Sequence, residues 1–416
     1  MQTHFRFVAA LFMLGVAASF APAQAQRIKA PDLSYAAGDF SLAMRGQVTL
    51  DSGTIALGDN PAGAVNRGGM TLRRFQVAVG GDLAPHLSYN LGFIFAGKGE
   101  TVDHRPTLYL DYDGAPVALR VGIFAASTGM EDAVGSGNSL FLERASGATV
   151  GRSIAGSLTR ATAMLYRQGS NYLASVSFTG GRIGGGGSFD VQQSMVGRFS
   201  WLAINEGGLR WSLDAHVGHV FDYKETTLGS GIGEIRLGDG PENGLEPGRT
   251  IDTGRLDARA ATNWGFETGA TYGAAYLQGG FFQYHVDRAL LPDPDFDGWY
   301  VQASWSLTGD ARRYNAATAT FRTPVPARTV DDGGPGAIEL MARYSTLDLN
   351  FNPLLGKALG GVTGGAQGVF AAGVNWFPNN TWRLSLIYQN IAVDHPEAPA
   401  NHLTADALTL RTQIVF

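Results

Sequence analysis

The chain has 416 residues, a formal net charge of −5 and no cysteine. A mildly acidic protein without cysteine is a poor candidate for nucleic-acid binding, and it has neither disulfides nor thiolate metal sites. Its 57 glycines and 11% aromatic residues are typical of many strands joined by tight turns.

The start of the chain has the features of a signal peptide. His4 and Arg6 lie in a short basic start, an apolar run ends near Phe20, and the small-x-small sequence Ala-Gln-Ala ends at Ala25. The apolar run is shorter than the roughly 20 residues that a membrane-spanning helix needs. We therefore expect cleavage after Ala25 and export from the cytoplasm. The chain then divides into a signal peptide at 1–25, a short N-terminal segment at 26–38 and one domain at 39–416.

Sixteen segments with alternating apolar and polar positions follow in chain order. Strands of soluble proteins average five or six residues, whereas about ten residues cross a bilayer when the strand is tilted. The predicted strands are 40–50, 70–80, 86–96, 106–113, 116–124, 158–167, 171–179, 195–204, 208–221, 262–271, 274–286, 298–308, 337–347, 367–377, 381–391 and 405–416.

The connections between these strands alternate between long loops, such as 51–69 and 125–157, and short turns such as "GDLAP". Only the segment 309–336 is long where a short turn is due. Long loops at one end, short turns at the other and an even strand number are typical of an outer-membrane barrel. A soluble sandwich has no reason to sort its loops in this way. We therefore predict an all-β transmembrane antiparallel β-barrel of sixteen strands, with its apolar faces toward lipid.

The last predicted strand keeps its alternation to the final residue. Phe416, Ile414 and Leu410 share one face, and Gln413 and Arg411 share the other. We expect Phe416 in the aromatic girdle at the periplasmic rim. We also predict that it is an assembly signal for the barrel-assembly machinery.

Motifs for metal binding or catalysis are weak. His216 and His219 are three residues apart and would face opposite sides of a strand. The sequence "DPDFDG" at 293–298 lacks the acidic residue that completes a calcium loop. No serine lies in the frame of a nucleophile elbow. We expect no catalytic residue, no metal and no cofactor.

Arginines are prominent on the strand faces predicted to point inward, where the candidates are Arg45, Arg120, Arg210, Arg343, Arg383 and Arg411. Arg73 and Arg74 are adjacent, so either Arg73 lies at the rim or a β-bulge turns both inward. The inward acids by the same rule are Asp111, Asp214, Glu267 and Glu339. Arginine keeps its charge and binds phosphate oxygens in pairs, which favours a preference for anions. The alternative is a lumen of mixed charge, with Glu339 paired to Arg343.

Several segments resemble one known family in the expected order. They include "LRRFQVAVGGDL", "FDGWYVQASWSLTGDARRYNAATATF" and "GGPGAIELMARYSTLDLN". From about Asp39 to Phe416 the chain is similar to the phosphate-selective porins O and P. The resemblance implies a homotrimer of sixteen-stranded barrels in which the third long loop, 125–157, folds into the pore.

The resemblance also implies which residues meet the substrate, because arginines and lysines of the lumen and loop bind phosphate or polyphosphate in this family. Arg73 and Arg74 match its paired arginines on an early strand. The loop lysines are missing here, since no lysine occurs between Lys98 and Lys224. Anions would then pass along arginines such as Arg144, Arg152 and Arg160.

We therefore expect a passive channel for small anions, with phosphate or polyphosphate favoured, in contact with outer-membrane lipid and without a nucleic-acid partner. The predicted lining residues are Arg45, Arg73, Arg74, Arg120, Arg144, Arg152 and Arg343. The alternatives are a general non-selective porin, an outer-membrane barrel enzyme such as a lipase, and a secreted soluble β-protein.

Overall fold

The computed structural model describes residues 33–57, 66–98, 101–114, 116–156, 160–182, 191–227, 229–245, 248–396 and 402–416. The predicted signal peptide at 1–25 lies outside these residues, as does most of the segment 26–38. Among the described residues, no helix is long and apolar enough to cross a membrane.

Strands dominate the structure. In chain order they are β1 (Ser34–Ala37), β2 (Phe40–Leu57), β3 (Asn66–Ala84), β4 (Leu87–Lys98), β5 (Thr101–Tyr112), β6 (Ala118–Ile123), β7 (Arg160–Gln168), β8 (Tyr172–Arg182), β9 (Gln193–Glu206), β10 (Leu209–Asp222), β11 (Gly233–Ile235), β12 (Gly238–Asp239), β13 (Ile251–Asp252), β14 (Leu256–Ala258), β15 (Ala260–Tyr272), β16 (Ala275–Asp287), β17 (Asp295–Ser306), β18 (Arg313–Asn315), β19 (Thr320–Arg322), β20 (Ala337–Phe351), β21 (Val362–Phe377), β22 (Trp382–Asp394) and β23 (His402–Val415). The helices are α1 (Met130–Ala133), α2 (Ser146–Ile154) and two 3₁₀ turns, Val330–Asp332 and Lys357–Leu359.

Sixteen of these strands close into an antiparallel barrel, formed by β2–β10, β15–β17 and β20–β23. Closure comes from the pairing of the first barrel strand, β2, with the last, β23, in a register from Gln47–Val415 to Leu57–Ala405. Each of the sixteen predicted strands matches one barrel strand. The prediction of a closed sixteen-stranded barrel is confirmed.

The alternation of side chains sets the two faces of the wall. On β17, Trp299, Val301 and Trp305 point outward and are exposed, whereas Tyr300 and Gln302 point inward and are buried. A closed sheet leaves no unpaired strand edge, which hydrocarbon would not tolerate. The exposed apolar stripes therefore suit a lipid-facing surface.

Two connections at the long-loop end fill part of the lumen. The inserted loop, residues 124–156, carries both helices, and α2 packs on β10, β15, β16, β17 and β20. The loop between β10 and β15 joins the same apolar core, where Leu237 and Ile251 pack with Val150 and Ile154. The prediction of a long loop folded into the pore is confirmed.

A third insertion comes from the opposite end. The segment 309–336, long where a short turn was due, contains the hairpin β18–β19. Phe321 of this hairpin is 1% exposed and packs with Tyr276 of β16 and with Met130 and Phe141 of the inserted loop. The segment that broke the alternation of loop lengths therefore contains a hairpin, and this hairpin packs against the inserted loop from the short-turn end of the barrel.

Candidate pore constriction

Three inward arginines of the wall hold the inserted loop by its backbone. Arg383 on β22 donates to the carbonyls of Ser139 (2.8 Å) and Leu140 (2.7 Å). Arg411 on β23 donates to the carbonyl of Leu142 at 2.6 Å. Arg343 on β20 donates to the carbonyl of Glu143 at 2.9 Å. Loops carry backbone carbonyls that need partners when buried, and these guanidinium groups supply them.

Arg343 does not line open space, because its side chain is 0% exposed. Its Nη2 donates to Oε2 of Glu242 at 2.6 Å, from the loop between β10 and β15. Glu242 also accepts from Ser345 and from the backbone N–H of Ser146, at the start of α2. The prediction that Arg343 lines the pore is thus corrected. Arg343 instead connects the inserted loop and the loop between β10 and β15 to the barrel wall.

The pairing of Glu339 with Arg343, which the alternative of a mixed-charge lumen included, is not observed. Glu339 accepts instead from Arg312, whose Nε and Nη2 lie 2.7 and 3.0 Å from its two oxygens. Arg312 belongs to the unexpected insertion at the short-turn end, and it also donates to the carbonyl of Asn138 in the inserted loop. Alternation along one strand could not reveal a partner from another segment.

The seam between β23 and β2 carries a buried ion pair. Arg411 donates from Nε and Nη2 to the two oxygens of Asp51, both at 2.7 Å. At the short-turn end of the same seam, Phe416 and Gly46 exchange two backbone hydrogen bonds of 2.7 and 3.0 Å. The Phe416 ring lies over Gly46 so closely that a Cβ there would be 2.2 Å from it. Phe416 is outward and 41% exposed, as the girdle position requires.

A β-bulge in β3 decides the orientation of the paired arginines. The register with β2 passes from Thr49–Arg74 to Leu50–Leu72, so Arg73 is the extra residue. Leu72 remains exposed on the outer face. Both arginines turn inward, which confirms the bulge alternative and excludes the rim position for Arg73.

The two arginines differ in what they contact. Nε of Arg73 lies 2.7 Å from Oε1 of Glu143 on the inserted loop. Burial alone would raise the pKa of Glu143, but Arg73 and Arg411 outweigh it and lower the pKa to about 2. Arg74 has a buried Nε without a hydrogen-bond partner and forms no ion pair with any described residue. Its electrostatic neighbours include Glu143, Arg73 and Arg144.

Arg144 and Arg152 lie on the inserted loop and share Asp132. Nε of Arg144 is 3.3 Å from Oδ1 of Asp132, and Nη1 of Arg152 contacts the same oxygen. Burial would raise the pKa of Asp132, but Arg152 and Arg144 hold it below its usual range. Arg105 of β5 is a further electrostatic neighbour of Arg152. A row of guanidinium groups thus runs from Arg74 along the loop to Arg105.

Arg105 was missed because the predicted strand began at residue 106, whereas β5 begins at Thr101. It has the same parity as Asp111, which is inward and buried. Extending the alternation back from Asp111 would have identified it.

The remaining predicted arginines lie apart from this row. Arg120 pairs with Asp111 (Nε–Oδ2 2.7 Å), and its guanidinium lies 4.4 Å from the centre of the Tyr109 ring. Arg45 is exposed and donates to Asn90 at 3.2 Å. Arg160 is 4% exposed and donates to the carbonyl of Gly180, so it supports the wall.

Known proteins with similar sequences are distant in identity. A Caulobacter vibrioides relative, described as an uncharacterized protein, is 24% identical over 364 residues, 85% of this chain and 69% of the relative. Porin O of Pseudomonas aeruginosa is 24% identical over 156 residues, 37% of this chain and 35% of that protein.

Solved structures share the fold. The anion-selective porin from Comamonas acidovorans has a TM-score of 0.52 at 14% identity, over 90% of this chain and 99% of that one. Pseudomonas putida OprB has a TM-score of 0.56 at 10% identity, over 90% and 93%. The trimer form of Vibrio cholerae OmpT has a TM-score of 0.53 at 11% identity, over 92% and 100%.

A family model described as phosphate-selective porin O and P matches residues 42–416, nearly all of the barrel. This match agrees with the closed sixteen-stranded wall and with the loop inside it. The chain belongs to the phosphate-selective porin O and P family and is a porin of the bacterial outer membrane.

Proposed function

We propose that this porin is a passive channel for small anions, with phosphate or polyphosphate favoured, and that Arg74 is the main anion contact. The observation that carries the proposal is the inward guanidinium of Arg74, which makes no hydrogen bond or ion pair with the described residues. A partly buried guanidinium group without a hydrogen-bond partner has lost part of its hydration, and a passing anion would supply that partner. Arg144 on the facing loop adds positive charge at the same place.

The chemistry of passage follows from this arrangement. An anion at Arg74 exchanges part of its hydration for charge-assisted hydrogen bonds. Binding has to stay weak, because an ion that is held tightly does not leave. Arg73, Arg144 and Arg152 each already face a carboxylate, so they attract the anion by their charge more than by direct hydrogen bonds. No cofactor enters this mechanism.

Related proteins support parts of this proposal. The family description includes phosphate, and the Comamonas acidovorans structure is described as anion-selective. The Vibrio cholerae OmpT structure is described as a trimer form, which supports a homotrimer for this chain. We further propose that residues 1–25 are removed on export, that 26–38 precede the barrel domain at 39–416, and that Phe416 is recognised by the barrel-assembly machinery.

A general anion pore without phosphate preference is the second candidate. Arg343, Arg383 and Arg411 are buried under the inserted loop, so three of the predicted inward charges are not available to a passing ion. Phosphate selectivity needs several donors around one ion, whereas a single free arginine would only favour anions over cations.

Reversal potentials in a potassium chloride gradient across planar bilayers test the proposal. The wild-type channel is expected to prefer chloride over potassium, and Arg74→Gln is expected to lower that preference several-fold. Arg210→Gln is the matched control, because it removes the same charge from an exposed position at the short-turn end.

Phosphate added to the same bilayers separates the two candidates. Block of the chloride current in wild type, weakened in Arg74→Gln, supports phosphate binding. Chloride preference without block leaves the general anion pore. Cation selectivity of the wild type would overturn both.

A further inference from the structure

Three ligating side chains meet inside the wall near the start of the inserted loop. Asp214 and His216 are two residues apart on β10 and face the lumen together. Glu267 on β15 is the direct cross-strand partner of Asp214. All three are at most 5% exposed, and one ligand atom from each lies within 4.8 Å of the others.

Several polar atoms of this cluster have no partner. Both ring nitrogens of His216 and Oδ1 of Asp214 are buried without a hydrogen bond. Burying such groups without a partner costs free energy. A ligand that accepts a lone pair from one imidazole nitrogen and from the carboxylate oxygen would give a partner to two of these three atoms.

The other carboxylate oxygens are already oriented by neighbours. Oδ2 of Asp214 accepts from Nε of Arg198 at 2.9 Å. Oε1 of Glu267 accepts from the Tyr300 hydroxyl at 2.6 Å. Outer contacts of this kind fix the ligating groups around a bound metal and tune their basicity.

Two glycines keep the space beside the cluster free of side chains. A Cβ at Gly129 would lie 2.0 Å from Oε2 of Glu267 and 3.0 Å from Nδ1 of His216. A Cβ at Gly265 would lie 2.7 Å from Cε1 of His216. Any larger residue at either position would occupy the place where a ligand of these groups would sit.

We propose that Asp214, His216 and Glu267 bind a divalent transition-metal ion, with Zn²⁺ as the first candidate. One imidazole and two carboxylates form a donor set that Zn²⁺ accepts, whereas calcium and magnesium prefer oxygen ligands alone. Zinc ligands lie roughly 2.0–2.2 Å from the ion, so these atoms need to draw together by less than about 1 Å. The divalent charge would also compensate the two buried carboxylates, of which Asp214 is paired with Arg198 and Glu267 with no arginine among the described residues.

The ion would fasten the inserted loop to the wall. Glu267 also accepts the backbone N–H groups of Met130 and Glu131, at the start of α1. A metal on Glu267 therefore ties β10 and β15 to the loop segment that leads to Asp132. The sequence could not reveal this site, because Glu267 lies about 50 residues from its partners and His219 of the H-x-x-H pattern faces outward.

Metal content of tag-free protein in detergent tests the proposal. After equilibration with Zn²⁺ and dialysis, wild type is expected to retain about one more zinc per chain than His216→Ala. His219→Ala is the matched control, since it removes an exposed histidine from the opposite face and should retain the metal. The exposed pairs His285–Asp295 and His402–Asp394 are present in all three proteins and cancel as background.

X-ray absorption at the zinc edge of the wild type gives a result that does not depend on how a variant folds. A shell with one imidazole and oxygen ligands supports the site. Equal zinc in wild type and His216→Ala, with both proteins heat-modifiable on gels, would overturn it, as would a shell without imidazole. Neither readout involves ion conduction, so the outcome is independent of the proposed anion preference.

Discussion

Inward arginines occur on two parts of the barrel wall. On strands β20–β23, the covered wall, they have different contacts from those on strands β3–β7, the open wall. On the covered wall, Arg343, Arg383 and Arg411 are at most 2% exposed and donate to carbonyls of the inserted loop. On the open wall, Arg74 has no such partner, and the loop contributes further guanidinium groups across from it. The path of the loop decides whether an inward arginine is structural or is available to an ion.

The largest effect is expected when a buried arginine of the covered wall is replaced. Arg343→Met leaves Glu242 without its cation and Glu143 without a donor to its carbonyl. Removing one partner of a buried ion pair costs about 3–5 kcal/mol. We expect a lower thermal midpoint and a larger single-channel conductance, because the loop loses an anchor. Arg343→Met with Glu242→Gln should recover part of the stability, and unchanged conductance in Arg343→Met would contradict the anchoring role.

Phe416 lies where the last strand meets the first, so its removal probes the seam. Deleting Phe416 removes two backbone hydrogen bonds to Gly46, worth about 1–3 kcal/mol together. Phe416→Ala keeps these bonds and removes only the ring. We expect both variants to be exported and poorly assembled if the ring is the assembly signal. Normal membrane levels of Phe416→Ala would assign the residue to packing alone.

Arg120 offers a smaller test on the open wall. Because Arg120 pairs with Asp111, Arg120→Gln leaves this carboxylate with the Tyr166 hydroxyl as its one hydrogen-bond partner in the described part of the chain. We expect a decrease in anion preference that is smaller than that of Arg74→Gln. Asp111→Asn in the same protein should return the reversal potential toward the wild-type value. A decrease as large as that of Arg74→Gln would mean that Arg120 itself contacts the ion.

The smallest expected effect is a pH dependence of the loops over the covered wall. Burial raises the pKa of Asp239 to about 7, and Glu242 and Glu143 act in the same direction. In the unfolded chain this carboxyl titrates near 3.8, so folding takes up a proton between these two values. The stabilisation is complete below pH 3.8 and is lost as the pH rises through 7. Thermal midpoints should therefore fall from pH 5 to pH 8 in wild type, and less in Asp239→Asn. An equal fall in both proteins would assign the change to other groups.

The barrel could be predicted from the sequence because alternation is a local property of each strand. The inward direction of Arg383 and Arg411 followed from the same rule. Their burial did not follow, since it depends on loop carbonyls more than 200 residues away. An inward side chain is not accessible to a passing ion when a loop lies between it and the open lumen.

Two local irregularities did carry a signal. Adjacent charges at Arg73 and Arg74 cannot both face inward on a regular strand, and the bulge resolved that conflict. The long segment 309–336 broke the alternation of loop lengths, and it contains the hairpin that packs under the inserted loop. The ion pair between Arg312 of this segment and Glu339 of β20 could not be predicted, because the alternation along a strand does not identify partners outside the sheet.

The contacts of Arg411 have a consequence for the order of events in biogenesis. This one side chain joins Asp51 on the first barrel strand, the last strand itself and the Leu142 carbonyl of the inserted loop. The three can meet only after β2 and β23 have paired. The inserted loop therefore acquires its full set of contacts with the wall only when the barrel has closed.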